Sequence, residues 1–303
     1  MSKRLISIVT YPRGGPRSWS EGLSGALSDI YSTRIVTGRL NYIVSCLSRN
    51  DLIHSNVGLP FSYASRYVLT IHGNYKKEKL LGRLSFPLAI QKAHIVTVPS
   101  YYLKKQLNLT NAFVIPNGID YPPSGKTDYR VTEPSPVVGT LTNFDFPQKA
   151  EGIIVLAKII REFLPAAKLL IGGSGTYLNT YRARTKQILP DAEFLGYCEK
   201  EYLFPQLDIF AYYSLQDNQP LALLEAMAYG LPVLSNNIGA VSEILTGPLS
   251  ECLCQSPDQY AVTLSGLIKS IDARKYWGSQ CRLKAKHYSW NIVAHQFMQL
   301  YEV

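Results

Sequence analysis

No run of about 18 consecutive apolar residues occurs in this 303-residue chain, and no secretory h-region follows its basic start, Met1-Ser2-Lys3-Arg4. The expectation is a cytoplasmic chain that does not span a membrane. Cysteine is sparse: five residues, at 46, 198, 252, 254 and 281, include no Cys-x-x-Cys pair. An odd number with this spacing fits a reducing compartment better than a disulfide framework, and Cys252-x-Cys254 is too tight for the usual zinc knuckle. There is no Asp-x-Asp and no histidine cluster, so no metal set is expected beyond the single carboxylates Asp51 and Asp145. Low-complexity tracts and short-period repeats are also missing. With 46% apolar and 17% charged residues, the chain can bury a substantial core, which excludes disorder, collagen and coiled coil as its main architecture.

Basic residues are in excess, 31 against 22, and unevenly placed. Residues 1–130 hold 17 Lys/Arg and 6 Asp/Glu, whereas residues 131–303 hold 14 and 16. The break falls at Tyr121-Pro122-Pro123-Ser124-Gly125, a turn-rich stretch that reads as a linker between two domains with different partners. The alternative is a solvated basic face with no ligand.

Short apolar runs alternate with amphipathic ones in both halves. Strands are expected at 5–10, 34–37, 52–55, 67–71, 95–99 and 113–116, then at 136–140, 168–172, 192–195, 209–212 and 232–235. Helices are expected at 20–30, 84–92 and 101–107 in the first half. In the second they fall at 150–163, 177–187, 200–205, 220–229, 241–245, 257–271 and 290–302. Alternation repeated twice means an α/β protein with two Rossmann-like parallel-sheet domains, whose ligand sites lie beyond the carboxyl ends of the strands.

Three strand ends carry candidate chemistry. Gly14-Gly15, between the first strand and its helix, lets backbone amides approach an anion, and is equally an ordinary turn. Ile171-Gly172-Gly173-Ser174-Gly175 lacks the full G-x-G-x-x-G spacing, which argues against a dehydrogenase and leaves a loop close to phosphate or sugar. The richest stretch runs from Asp217 to Val233. Pro220 suits a first helical turn and Gly230 a C′ position, giving a helix of about ten residues with Glu225 on its second turn. Asp217 sits in the loop leading in. A carboxylate is a natural acceptor for two vicinal hydroxyls, and the helix N-terminus favours phosphate. The apolar neighbours Leu224, Ala226 and Met227 argue against Glu225 as a plain surface residue.

Asp217-x7-Glu225 followed by Ala-Met-Ala-x-Gly-x-Pro-Val, the continuation from Ser235 to Glu243-Ile244, Ile115-Pro116-Asn117-Gly118-Ile119-Asp120, Thr70-Ile71-His72-Gly73 and Ser289-Trp290 together resemble the retaining glycosyltransferases of family 4, of the GT-B fold. The resemblance spans nearly the whole chain. It implies domains at 1–125 for the acceptor and 126–287 for a nucleotide-sugar donor, facing each other across a cleft, with 288–303 as a helix returning to the first. It further implies a retaining, metal-independent hexosyltransferase with no cofactor, using a UDP- or GDP-sugar as donor. Carried over, Glu225 would bond the ribose hydroxyls and Asp217 would contact the transferred hexose. Gln219, Leu221, Gly173 and Thr140 would lie at the donor's sugar or phosphate, Gly14 and Gly15 would lie near the diphosphate, Lys149 would neutralise it, and His72 would face the sugar near its 6-hydroxyl. Two departures stand out: Asp217 replaces the usual Glu, and Thr140 follows Gly139 where the pattern has Arg, unless Arg13 or Arg17 substitutes.

The competing readings are a non-catalytic nucleotide-sugar-binding protein of the same fold, a nucleotide-sugar epimerase, and a nucleic-acid binder. The last finds no reading module or aromatic–basic repeat, so no nucleic-acid partner is expected. For the acceptor, residues 75–86 interleave Lys76, Lys77, Lys79 and Arg83 with Leu80, Leu81, Leu84 and Phe86. Such a segment can meet an anionic membrane surface and suits a lipid-linked or glycan acceptor at the inner face of the membrane. The same leucines could instead pack inward, leaving the lysines merely solvated.

Overall fold

The computed structural model describes residues 3–12, 14–47, 52–77, 80–123 and 136–302. The strands are β1 Leu5–Val9, β2 Ser32–Val36, β3 Leu52–Ser55, β4 Arg66–Thr70, β5 Ile95–Val98, β6 Phe113–Val114, β7 Val137–Leu141, β8 Lys168–Gly172, β9 Glu193–Gly196, β10 Ile209–Tyr212, β11 Val233–Asn236 and β12 Leu253–Cys254. The helices are α1 Gly15–Leu27, α2 Arg39–Leu47, α3 Leu80–Lys92, α4 Tyr101–Leu107, α5 Pro147–Phe163, α6 Leu178–Ile188, α7 Lys200–Leu203, α8 Leu221–Ala228, α9 Val241–Ile244, α10 Pro257–Lys269, α11 Ile271–Ala285 and α12 Trp290–Glu302.

The chain divides into two units, Met1–Asp120 with Tyr288–Val303, and Tyr121–His287. Each is a Rossmann-like α/β unit around one parallel sheet, in the order β2-β1-β3-β4-β5-β6 and β12-β11-β10-β7-β8-β9. In the first unit the pleat sends alternate residues to opposite faces. Ile6, Ile8, Leu52 and Val68 pack with Trp19, Leu23, Val293 and Phe297 on one side. Val9, Ile53 and Leu69 pack with Phe86, Ala89, Leu103 and Leu107 on the other. The central strands β3 and β10 are buried at every position, as expected where helices cover both faces. In the second unit Val138, Leu169, Ile171, Ile209, Ala211 and Leu234 bury the inner faces of α5 and α10.

Helices 39–47 and 271–285 are additional to those expected; α2 carries an apolar period at 40, 43, 44 and 47, whereas α11 does not. The α2 helix turns Leu40, Ile43, Val44 and Leu47 outward. The α11 helix is held by polar contacts: the buried Arg274 guanidinium donates to the carbonyls of Leu267 and Ile268 at 2.8 and 2.6 Å, closing the end of α10. Phe86, expected to face a bilayer, is buried and stacked on Tyr75.

The returning helix α12 is fixed at both ends. At its start, Trp290 occupies space that a Cβ on Gly22 or Gly118 would enter at 2.2 and 2.3 Å. At its far end, the Tyr301 hydroxyl meets Nδ1 of His54 at 2.5 Å, and His54 Nε2 meets Thr70 at 2.6 Å, which in turn meets Thr97 at 2.6 Å. Burial pushes His54 down to about 3 and His72 to about 4. Both are neutral when folded, whereas an unfolded histidine takes up its proton near pH 6.5. Stability is therefore complete above about pH 6.5 and is lost as the pH falls toward 4 and 3. Each histidine should cost the fold about 2 kcal/mol at pH 5 relative to pH 7.5. The urea midpoint followed by tryptophan fluorescence should fall accordingly, and His54→Leu should flatten the slope; an equal slope in that variant would remove His54 as its source.

Candidate functional site

The second unit gathers charged groups at the carboxyl end of β10. Gly152 on α5 permits the approach that creates them: a Cβ there would lie 1.9 Å from the Tyr213 carbonyl oxygen. The loop after β10 therefore lies against the first turn of α5, and the Leu215 amide donates to the Gln148 carbonyl at 3.1 Å. Asn236, ending β11, clamps the same loop by accepting from the Ser214 amide at 3.0 Å and donating to its carbonyl at 2.8 Å. The loop after β11 closes over it. Gly239 has φ +58 and sits where a Cβ would meet the Asp217 and Asn218 carbonyls, and Ala240 donates to Asn218 at 2.6 Å.

This packing places Asp217. Its carboxylate, 8% exposed, accepts from the Lys149 ammonium at 2.6 Å, from the Tyr212 hydroxyl and from the Asn218 amide at 2.8 Å. Burial, with the Asp217 charge second, pushes the Tyr212 hydroxyl well above its ordinary pKa, so it stays a donor. Lys149 stands third in α5, where the helix dipole disfavours a cation and favours an anion beside it.

Glu225 follows two turns on. Pro220 takes the N-cap position of α8 rather than its first turn, and the helix ends at Ala228. Gly230, at φ +79, follows the cap residue. Its amide donates to Met227 at 2.9 Å and that of Leu231 to Ala226 at 3.2 Å, the paired bonds of a Schellman end. From α11, Arg282 donates to the Ala228 carbonyl at 2.5 Å and Gly278 lets that helix approach the Gly230 carbonyl. On this braced helix Glu225 accepts from Lys200 of α7 at 3.0 Å, both partly buried. Gln219 is buried and Leu221 half-buried at the start of the helix.

Other expected residues fall differently. Thr140 is buried inside β7, and Gly139 beside it is demanded by Leu207. The Gly173 amide donates to the Gly196 carbonyl at 2.8 Å, and its φ of +132 serves a close approach to the Thr142 carbonyl. Packing alone therefore requires a glycine at both positions. Arg17 pairs with Glu21 at 2.7 Å. Arg13, Asp51, Lys79 and the side chain of Lys77 lie outside the described residues. Tyr212, Asn236, Gly152 and Lys200 escape sequence reading; Lys200 stands 25 residues before its partner, with no motif to mark it.

In the first unit, Gly14 has φ +81 and is the N-cap of α1, while Gly15, its first residue, has ordinary geometry; nothing lies within 4 Å of a Cβ built on either. His72 follows β4, with Nδ1 3.0 Å from the Asn117 side-chain oxygen. Lys76 and Arg83 are exposed. Among the described residues no three His, Cys, Asp or Glu side chains are grouped to hold a metal, and no helix is long and apolar enough to cross a membrane.

The family described as Glycosyl transferases group 1 matches residues 135–270. The phosphatidyl-myo-inositol mannosyltransferase of Mycobacterium tuberculosis is 27% identical over 217 residues, which are 64% of this chain and 54% of that protein. This chain thus spans about half the length of that relative. N-acetyl-alpha-D-glucosaminyl L-malate synthase of Bacillus anthracis is 24% identical over 268 residues, covering 77% and 69%. Among solved structures, Anabaena Alr3699/HepE in complex with UDP and glucose has a TM-score of 0.82 over 99% of both chains at 16% identity. The fold is that of the GT-B glycosyltransferases.

The glycine at 152 can be tested without reference to any reaction. Gly152→Ala should push α5 off the loop after β10 and cost about 1–3 kcal/mol of stability. Calorimetry should show a lower Tm, whereas Gly25→Ala, with open space at its Cβ, should leave the Tm unchanged or raised.

Proposed function

We propose that this chain, whose residues 135–270 match the Glycosyl transferases group 1 family, moves a hexose from a UDP- or GDP-sugar to an acceptor hydroxyl, with retention at the anomeric carbon and without a metal ion. The observation that carries this reading is the pairing of each motif carboxylate with a lysine, Asp217 with Lys149 and Glu225 with Lys200. Two anchored carboxylates suit sugar and ribose hydroxyls, and two ammonium groups suit a diphosphate.

In this reading Glu225 accepts from the vicinal ribose hydroxyls and Asp217 from the hexose. Backbone at Gln219 and Leu221, at the start of α8, meets sugar or phosphate. Negative charge grows on the departing diphosphate as the anomeric carbon becomes oxocarbenium-like. An ammonium has three donors, so Lys149 can serve Asp217 and this anion together. Lys200 supplies the second cation that the Gly139-Thr140 departure withholds. In the first unit, the amides of Gly14 and Gly15 contribute to anion binding and His72 meets the sugar. The C1–O bond to the diphosphate breaks with its electron pair on the phosphate oxygen. The acceptor oxygen bonds to C1 on the same face, and its proton passes to the departing phosphate, so no protein nucleophile is required.

The acceptor is proposed to be lipid-linked. Leu40, Ile43, Val44 and Leu47 form one face of α2, and Leu80, Leu81, Leu84 and Leu88 one face of α3, each half or more exposed. Arg83 lies on α3 and Lys76 in the turn before it, both exposed. Apolar side chains flanked by cations suit an anionic bilayer interface. The curated relative from M. tuberculosis is itself named for phosphatidyl-myo-inositol.

Nucleoside diphosphate should be released only when acceptor is present, at a rate unchanged by EDTA, with the product anomer matching the donor by NMR. Glu225→Gln should raise donor KM about 10–100-fold, as loss of a charged hydrogen bond does, with kcat little altered. Lys149→Ala should lower kcat as well, because the leaving-group charge is largest in the transition state; intact kcat would contradict its role. Sedimentation with vesicles should increase with anionic lipid, decrease with salt and drop for Leu40→Ser with Leu84→Ser. Equal partitioning onto neutral vesicles would contradict the charged-surface reading.

A further inference from the structure

Within the first unit, His72 is held by more than its own strand end. Its Nδ1 lies 3.0 Å from the Asn117 side-chain oxygen, and Asn117 is itself buried. An amide oxygen can only accept, so the shared proton is on Nδ1 and Nε2 is the lone-pair nitrogen. Asn117 is in turn positioned by the returning segment of the chain. Ile119 donates to the Tyr288 carbonyl at 2.8 Å and accepts from the Trp290 amide at 3.1 Å. Between these two residues, Gly118 leaves room for the Trp290 indole, which would lie 2.3 Å from a Cβ there. Trp19 packs edge-on against both, 4.7 Å from the His72 ring and 6.1 Å from that of Trp290.

We propose that Asn117 is a positioning residue for His72, fixing its Nδ1–H tautomer so that Nε2 acts as a hydrogen-bond acceptor toward a hydroxyl of the bound sugar, and that Trp290 sets the position of Asn117. The tautomer rests on the first unit alone, whereas the sugar contact rests on the proposed transferase reading. The consequence for chemistry is specific. A neutral histidine with its proton directed inward cannot protonate the departing phosphate; it orients the hexose. Burial supports the neutral form, holding His72 near 4. The titratable group that faces it across Trp19 is His54, likewise neutral and bonded to Tyr301 and Thr70.

The decisive measurement is the ¹⁵N spectrum of the imidazoles in the wild-type protein near pH 7, assigned by comparison with His72→Gln. Nδ1 of His72 should resonate as a protonated nitrogen and Nε2 as a non-protonated one; the reverse overturns the proposal, whatever the activity. Asn117→Asp sets a carboxylate against Nδ1–H, and should shift the acid limb of the kcat–pH profile and the His72 titration upward together. Asn117→Ala should lower kcat about tenfold, the worth of one hydrogen bond, with donor KM little changed. Trp290→Phe should give part of the same loss, and none beyond it when combined with Asn117→Ala. Full additivity would overturn the link to Trp290. If the ¹⁵N shifts hold and His72→Gln turns over at the wild-type rate, the sugar contact is overturned and the positioning of the ring stands.

Discussion

The carboxylate of Asp217 is almost out of water, and the second unit is arranged around what that requires. A carboxylate at 8% exposure is costly unless its oxygens are satisfied. Here three donors of different origin converge on it: an ammonium from α5, a hydroxyl from β10 and the next residue's amide. None is useful unless α5 and the loop after β10 come within contact distance, which the hydrogen at Gly152 allows. The shorter aspartate belongs to this arrangement, since its oxygens reach the Asn218 amide and the strand-end tyrosine while staying close to the backbone.

The two units solve the burial of polar groups in opposite ways. In the second, charge is matched with charge at Lys149–Asp217 and Lys200–Glu225. The first keeps its buried polar side chains neutral, in the chain Tyr301–His54–Thr70–Thr97 and the pair His72–Asn117. Such networks hold only while every member is satisfied. Acid should therefore perturb the first unit through His54 and His72, which burial keeps neutral.

Much of this was legible in the amino-acid order, and the exceptions have physical reasons. The parallel strands show as apolar runs because they are buried on both faces, so 52–55, 168–172 and 209–212 could be bounded to the residue. The α8 helix is readable through Pro220 and Gly230. Of the two further helices, α2 carries the apolar period at Leu40, Ile43, Val44 and Leu47 but turns it to solvent, whereas α11 is fixed by the guanidinium groups of Arg274 and Arg282, which periodicity does not mark. Asp217, Lys149 and Glu225 could be named from motifs, yet their partners Tyr212 and Lys200 meet them only through tertiary packing. The close approach of the Thr142 carbonyl to Gly173 was not legible either, because a glycine needed for a carbonyl's approach looks the same in sequence as one needed for a phosphate's.

The seating of Trp290 between Gly22 and Gly118 bears on how the polypeptide is made. Residues 121–287 form a contiguous unit that can close as soon as they leave the ribosome. The unit begun by β1 cannot, because its hydrophobic cluster includes Val293, Phe297 and Tyr301, which follow residues 121–287 in the chain. Until α12 is made, Trp19, Leu23 and Leu27 have no cover from it, and the nascent chain presents an unfinished apolar surface. The unit that opens with β1 is thus completed only after the intervening unit has been made.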